Sequence, residues 1–152
     1  DPRAPGNLKF PGGITASYTC ELDSVEALNV QNSPKSSGDN IQRWTSWPQK
    51  GKPQWVEINL GKPQVIRSVG VYWYDDGHGV QRPGAWHLEV LDNEEQWKKL
   101  PIYNTDEYST LLDAYNTVHP ANVLTTERFR IVMTPQHNNT CVGLLSVDVD
   151  VK

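Results

Sequence analysis

The stretch from Gln54 to Trp86, QWVEINLGKPQVIRSVGVYWYDDGHGVQRPGAW, constrains the fold more than any other. Val56, Ile58 and Leu60 alternate with Trp55, Glu57 and Asn59, the period-2 signature of a strand with one buried face. Gly61-Lys62-Pro63 breaks the chain, and Val65 to Tyr74 follows as a second, largely apolar strand in which Val69, Val71 and Trp73 share a face. That strand empties into Asp75-Asp76-Gly77-His78-Gly79, so a stiff framework feeds a polar loop rimmed by aromatic rings. Scaffolds of this kind fix what a binding loop presents.

More strands follow along the chain. Ile14 to Cys20 reads as the first; Trp86, Leu88 and Val90 alternate with His87 and Glu89; Phe129, Ile131 and Met133 form another. Leu145, Val147, Val149 and Val151 set against Asp148, Asp150 and Lys152 give a half-exposed final strand. Tyr108, Leu111, Leu112 and Tyr115 match helical spacing and predict one short helix. With 11 Gly, 11 Pro, 6 Trp and 6 Tyr against 1 Met, the composition suits a turn-rich sandwich or barrel rather than a helical bundle. Residues 1–13, Pro- and Gly-rich and without periodicity, read as a linker or N-terminal arm, and 14–152 as a single domain. The chain begins at Asp1 rather than Met, the start expected of a segment excised from something longer.

A net charge of -4 argues against nucleic acid or an anionic membrane as partner. No run is long enough for a transmembrane helix. Catalysis finds no support: GxSxG, HExxH, a phosphate-cradling glycine loop and an EF-hand loop are all missing. Asp75 and Asp76 are adjacent, so on extended chain they point apart and do not flank one scissile bond. The protein is therefore expected not to be an enzyme.

Binding is the better expectation. A sugar offers an apolar C–H face and a ring of hydroxyls, and a protein answers with aromatic rings, carboxylate acceptors and Arg, Asn or His donors. Tyr74, Asp75, Asp76, His78, Arg82 and Trp86 supply that set within one short stretch. Trp47 in a long loop and Asn138 in the polar 136–140 loop are candidates for the same rim. Each has a plainer explanation: Trp73 and Trp86 as core, the aspartates as turn formers, Arg82 as their ion-pair partner. His78, between two glycines, is the hardest to explain structurally. Asn138-Asn139-Thr140 also has the spacing of a glycosylation sequon. Cys20 and Cys141 are candidates for a disulfide joining the two ends of the domain; the alternative is two buried free thiols.

The order of these features resembles the discoidin, or coagulation factor 5/8 type C, domain, which overlaps carbohydrate-binding module family 32. Carrying the resemblance are Ala16-Ser17-Tyr18, Ala27-Leu28-Asn29, Trp44-Thr45-Ser46, the Gln54 to Gly61 strand, Ile66 to Val71, Trp86 to Trp97 and Phe129 to Ile131. Tyr72-Trp73-Tyr74-Asp75-Asp76-Gly77, Arg82-Pro83 and Tyr115-Asn116-Thr117-Val118 look like accessory domains of secreted bacterial glycoside hydrolases. The resemblance implies an all-β, jelly-roll-like β-sandwich of the galactose-binding type, with a glycan, of galactose type most commonly, held on loops at one end. It implies a secreted, periplasmic or cell-surface protein, with a catalytic domain in the same parent chain as partner. The alternative under the same resemblance is a structural accessory domain that packs on a catalytic neighbour and binds no sugar. The family's structural calcium uses two carboxylates whose positions look like Val30 and Ser146 here. Asn29 and Asn32 remain as the candidate ligands of a weak calcium site, and no cofactor is firmly implied.

Overall fold

The computed structural model describes residues 8–152. Its strands are β1 (Ile14–Ala16), β2 (Trp44–Thr45), β3 (Gln54–Trp73), β4 (Pro83–Leu91), β5 (Trp97–Lys99), β6 (Tyr115–Val118), β7 (Leu124–Pro135) and β8 (Gly143–Val151). A short 3-10 helix, Val25–Asn29, is capped by the Ser24 side chain accepting from Glu26 N. No helix among the described residues is long and apolar enough to cross a membrane.

β3 organises the rest. The expected break at Gly61-Lys62-Pro63 is a bend within one 20-residue strand, where the register shifts between Asn59 and Gln64 and Gly61 takes φ 87°. Before the bend β3 pairs with β1 and β7, as in Ile58 with Ile14 and with Phe129. Beyond it, β3 pairs with β8 and β6, as in Val71 with Val147 and with Asn116. All these pairings are antiparallel. The strand thus belongs to two layers, β1-β3-β7-β4-β5 and β2-β8-β3-β6. Their facing side chains, among them Val56, Ile58, Val71, Trp73, Leu88, Ile131, Met133, Leu144 and Val147, form one core.

Four expectations need correcting. No helix forms over 108–115, because the segment is held as a loop by a buried side chain. Asn116 Oδ1 accepts from Leu111 N (2.8 Å) and Ser109 Oγ (2.8 Å), and its amide donates to Leu111 O (3.0 Å) and Ala114 O (3.3 Å). Leu111 and Leu112 consequently face solvent. The first strand stops at Ala16 rather than reaching Cys20. In β8, Leu145 does not share a face with Val147. The register steps from Tyr72–Ser146 to Trp73–Leu144, so Leu145 is an extra, bulged residue. It packs with Tyr72, Tyr74, Val80 and Cys141, whereas Leu144 enters the main core. Of the expected arm, residues 1–7 lie outside the described residues. Residues 8–13 are fastened: Phe10 is buried in the core, Lys9 N donates to Asn29 O and Gly12 N to Asn59 O.

Candidate functional site

β2 and the end of β3 lie on either side of β8, and both meet it at the same residue. Trp44 and Trp73 are each paired with Leu144. Both strands run antiparallel to β8, so they exit at the same end of the layer, and the segments that follow them, 45–47 and 74–80, come out side by side. Between them lies an open cleft of about 330 Å³. Asp23, Arg43, Trp47, Tyr74, Asp76 and His78 line it.

The 75–80 loop is rigid for reasons visible in its sequence. Asp75 Oδ1 accepts from Gly77 N (2.8 Å), and its Oδ2 accepts from Arg82 N (2.9 Å). Asp76 Oδ1 accepts from His78 N (2.7 Å) and Val80 N (3.2 Å), and Asp76 N donates to Val80 O. Cys141 N donates to Gly79 O and Gln81 N to Cys141 O, stitching the loop to the chain just before β8. Both glycines around His78 have a structural cause. Gly77 sits at φ 75°, and a β-carbon on Gly79 would stand 2.2 Å from Trp47 Cζ3. The Trp47 ring therefore lies against the Gly79 backbone, with Lys50 Nζ 5.2 Å from its centroid and 37% of the residue exposed. His78 is exposed at the loop tip, and its ring makes no hydrogen bond among the described residues.

Opposite, the Arg43 guanidinium lies 4.4 Å from the centroid of the Tyr74 ring. Burial pushes the Tyr74 hydroxyl above its usual pKa, with Arg43 acting against it. Arg43 Nη2 donates to Asn40 Oδ1 (3.2 Å), and its Nε is buried without a hydrogen-bond partner among the described residues. Asp23 accepts from the Thr45 hydroxyl. The cleft thus presents an indole surface, an imidazole, a stacked guanidinium and two carboxylates that each have one oxygen free of hydrogen bonds among the described residues.

Of the candidates, Trp47, Tyr74, Asp76 and His78 come together here, and four do not. Both carboxylate oxygens of Asp75 are spent holding the loop. Arg82 turns away, toward Thr110 O. Trp86 is core: its rings stack edge-on with Trp73 (5.4 Å) and Tyr108 (4.9 Å), and its Nε1 donates to Ser109 O (2.7 Å). Asn138 is exposed but packs its backbone against Gly51 rather than lining the cleft. Sequence reasoning missed Arg43 and Asp23. β2 is two residues long, too short to show a period, so only proximity to Trp44-Thr45-Ser46 pointed there.

The disulfide and calcium expectations also change. Cys20 and Cys141 are free thiols, both buried as small apolar groups, and burial pushes the Cys141 thiol up. The residues present do not fit a calcium ion. Asn29 spends its side chain on the backbone of Phe10, accepting from its N (2.7 Å) and donating to its O (3.2 Å). Asn32 donates to Leu145 O (2.8 Å), which leaves its Oδ1 as the one buried side-chain oxygen among the described residues without a hydrogen-bond partner, where a hard cation needs six or more oxygens. Ser146 Oγ accepts from Tyr115, and no group of three His, Cys, Asp or Glu lies together among the described residues.

Residues 32–130, more than half of the chain, match the coagulation factor 5/8 type C family in the form described as NedA-like, galactose-binding domain. The fold is similar to a chain of the Streptococcus pneumoniae β-galactosidase BgaA (TM-score 0.72, 16% identity, 91% of each chain covered). It is similar to the family 32 carbohydrate-binding module of C. perfringens NanJ, solved with galactose (TM-score 0.64, 16% identity, 90% of this chain and 91% of that one). It is also similar to a chitosan-binding module of a Paenibacillus sp. IK-5 chitosanase/glucanase, solved with chitotriose (TM-score 0.62, 18% identity, 90% and 94% covered). These likenesses give the all-β, galactose-binding-like sandwich its place among known folds.

Proposed function

Because this chain belongs to the coagulation factor 5/8 type C family in its NedA-like, galactose-binding form, we propose that it is a non-catalytic carbohydrate-binding module whose ligand sits in the Trp47–His78 cleft. One observation carries the proposal: an exposed indole, an imidazole, a guanidinium and two part-free carboxylates converge on a single open cleft. A pyranose lays its C–H face on Trp47, and its hydroxyls donate to Asp23 and Asp76 and accept from Arg43 and His78. Asp23 and Asp76 outweigh Arg43 by one negative charge, which suits a sugar without an acid group. Galactose, mannuronic acid and chitotriose are the ligands named for structural neighbours, and the neutral ones are the first to test. The module's use is to keep an attached glycoside hydrolase near its glycan, by raising effective concentration rather than by tight binding. A secreted, bacterial setting follows from that role.

The test is a glycan array followed by affinity electrophoresis. Trp47→Ala and His78→Ala abolish binding, and Arg82→Ala leaves it intact because Arg82 points elsewhere. Binding unchanged in both of the first two variants refutes the site. A second reading, a structural accessory domain that binds no sugar, is favoured by one feature, the adjacent solvent-facing Leu111 and Leu112. It predicts that the chain retains no glycan on any array.

A further inference from the structure

The outer face of the β8-β3-β6 layer carries a concavity of about 610 Å³, lined by residues other than those of the loop cleft. The strand registers give its floor in rows. Tyr115, Tyr72 and Ser146 stand side by side, then Thr117, Gly70 and Asp148, then Ser68 and Asp150. Val69, Val71 and Trp73 point the other way, into the core. Tyr115 and Ser146 belong to strands separated by β3, yet Tyr115 OH donates to Ser146 Oγ (2.9 Å). Strands lie about 4.8 Å apart, so a side chain making that bond must lie nearly flat across β3.

Gly70 permits it. A β-carbon there would stand 2.9 Å from Thr117 Oγ1 and 3.5 Å from the Tyr115 ring. Glycine within a strand marks a place where another group approaches closely. The Tyr115 ring is thus held at its hydroxyl by Ser146 and along its edge by Tyr72 (centroids 5.2 Å, interplanar 81°), while 36% of the residue stays exposed. Polar groups surround this plate: Ser68, Thr117, Gln31, Asp148 and Asp150. Lys9 Nζ is already committed to Asp148 (2.9 Å) and Val147 O. Asp150 is exposed, and its carboxylate makes no hydrogen bond or ion pair among the described residues. Acceptors therefore outnumber free donors, and the groove carries one uncompensated negative charge from Lys9, Asp148 and Asp150.

We propose that this face is a second saccharide site, for neutral or amine-bearing sugar chains and not for uronates. The pinned Tyr115 ring supplies the surface on which a pyranose C–H face rests. The Asp150 carboxylate accepts from hydroxyl or ammonium groups, and Asp148 and Asp150 together repel a uronate. The site shares no lining residue with the loop cleft, so the two stand or fall separately.

The test is a titration of the isotope-labelled chain, followed by amide chemical shifts, with glucosamine trisaccharide, its N-acetylated counterpart and galacturonic acid trisaccharide. Amides at 68–70, 115–117 and 148–150 shift with the first two probes and not with the third. These shifts persist in a Trp47→Ala/His78→Ala variant. Tyr115→Ala weakens them about tenfold, and Asp150→Asn removes the preference for the free amine. If Tyr115→Ala does not fold, Ser68→Arg, which blocks the groove from its rim, gives the same loss. The proposal is overturned if none of these amides shifts with any probe, if the shifts survive both Tyr115→Ala and Ser68→Arg, or if the uronate binds as well as the neutral sugar.

Discussion

Gly79→Ala isolates one contact on which the cleft depends. Gly79 is not among the glycines at positive φ, so its backbone accepts an L residue without strain. The three atoms nearest a β-carbon there all belong to the Trp47 indole, with Cζ3 at 2.2 Å and Cε3 and Cη2 at 2.9 Å. Two terms of opposite sign follow. Overpacking costs about 1–3 kcal/mol, and the lost freedom of the unfolded chain returns about 0.4–1 kcal/mol. In the native background the substitution therefore destabilises, by up to about 2.6 kcal/mol after the entropic gain. In a Trp47→Ala background the clash is gone and the same substitution stabilises by about 0.4–1 kcal/mol. The sign reverses, with a coupling equal to the overpacking term. Urea unfolding of the four proteins, read by circular dichroism at constant m, measures it. Affinity for a cleft-bound saccharide falls in Gly79→Ala as far as in Trp47→Ala, because the indole is displaced. Costs for Gly79→Ala that agree within about 0.5 kcal/mol in the two backgrounds refute the contact.

Asp75→Ala frees Gly77 N and Arg82 N and lowers stability by about 1–3 kcal/mol; a urea midpoint equal to the parent's refutes its role as the loop's clasp. Excess EDTA leaves the melting temperature unchanged, because the donors around Asn29 and Asn32 do not fit calcium; a fall of many degrees refutes that. Ellman titration of the unfolded chain without reductant counts two thiols, and the folded chain reacts slowly since both are buried; a count of zero restores the disulfide. Burial raises the pKa of Tyr72, Tyr74, Tyr108 and Tyr115 above 10.0. Above that pH the unfolded chain loses phenolic protons that the native state keeps, so stability is full below pH 10 and falls as pH rises beyond it. A flat unfolding free energy from pH 9 to 11 contradicts these shifts.

Local periodicity made the framework legible. Val56, Ile58 and Leu60, then Val69, Val71 and Trp73, declare buried faces within a few residues, and the structure buries all six. Where a pattern met an interruption, the period misled. The four apolar positions of 108–115 imitate a helix, but a single buried amide, Asn116, holds their backbone in a loop. Its partners lie on its own segment, yet nothing in the composition distinguishes a capping asparagine from a surface one. Trp86 could be read as core or rim because it follows a polar loop and opens an apolar strand, and the placement of Trp73 and Tyr108 around it shows it to be core.

The loop cleft depends on long-range register, which is why two of its six functional side chains, Asp23 and Arg43, were not legible. Trp44 and Trp73 both reach Leu144 because Leu145 is bulged between the Tyr72–Ser146 and Trp73–Leu144 pairs. Without the bulge, Trp73 would face Leu145. A one-residue slip carries the side chains of β8 that precede Ser146 to the opposite face, moving Leu144 out of the core and Leu145 off Tyr72 and Tyr74. β2 would then meet a shifted partner, and Arg43 would no longer lie over Tyr74. The apolar run Val142 to Leu145 hides this bulge, since leucine suits either face. The loop beginning at Asp75 announced itself by its turn chemistry, but the partner that completes it, Arg43, is selected by a bulge about a hundred residues further along the chain.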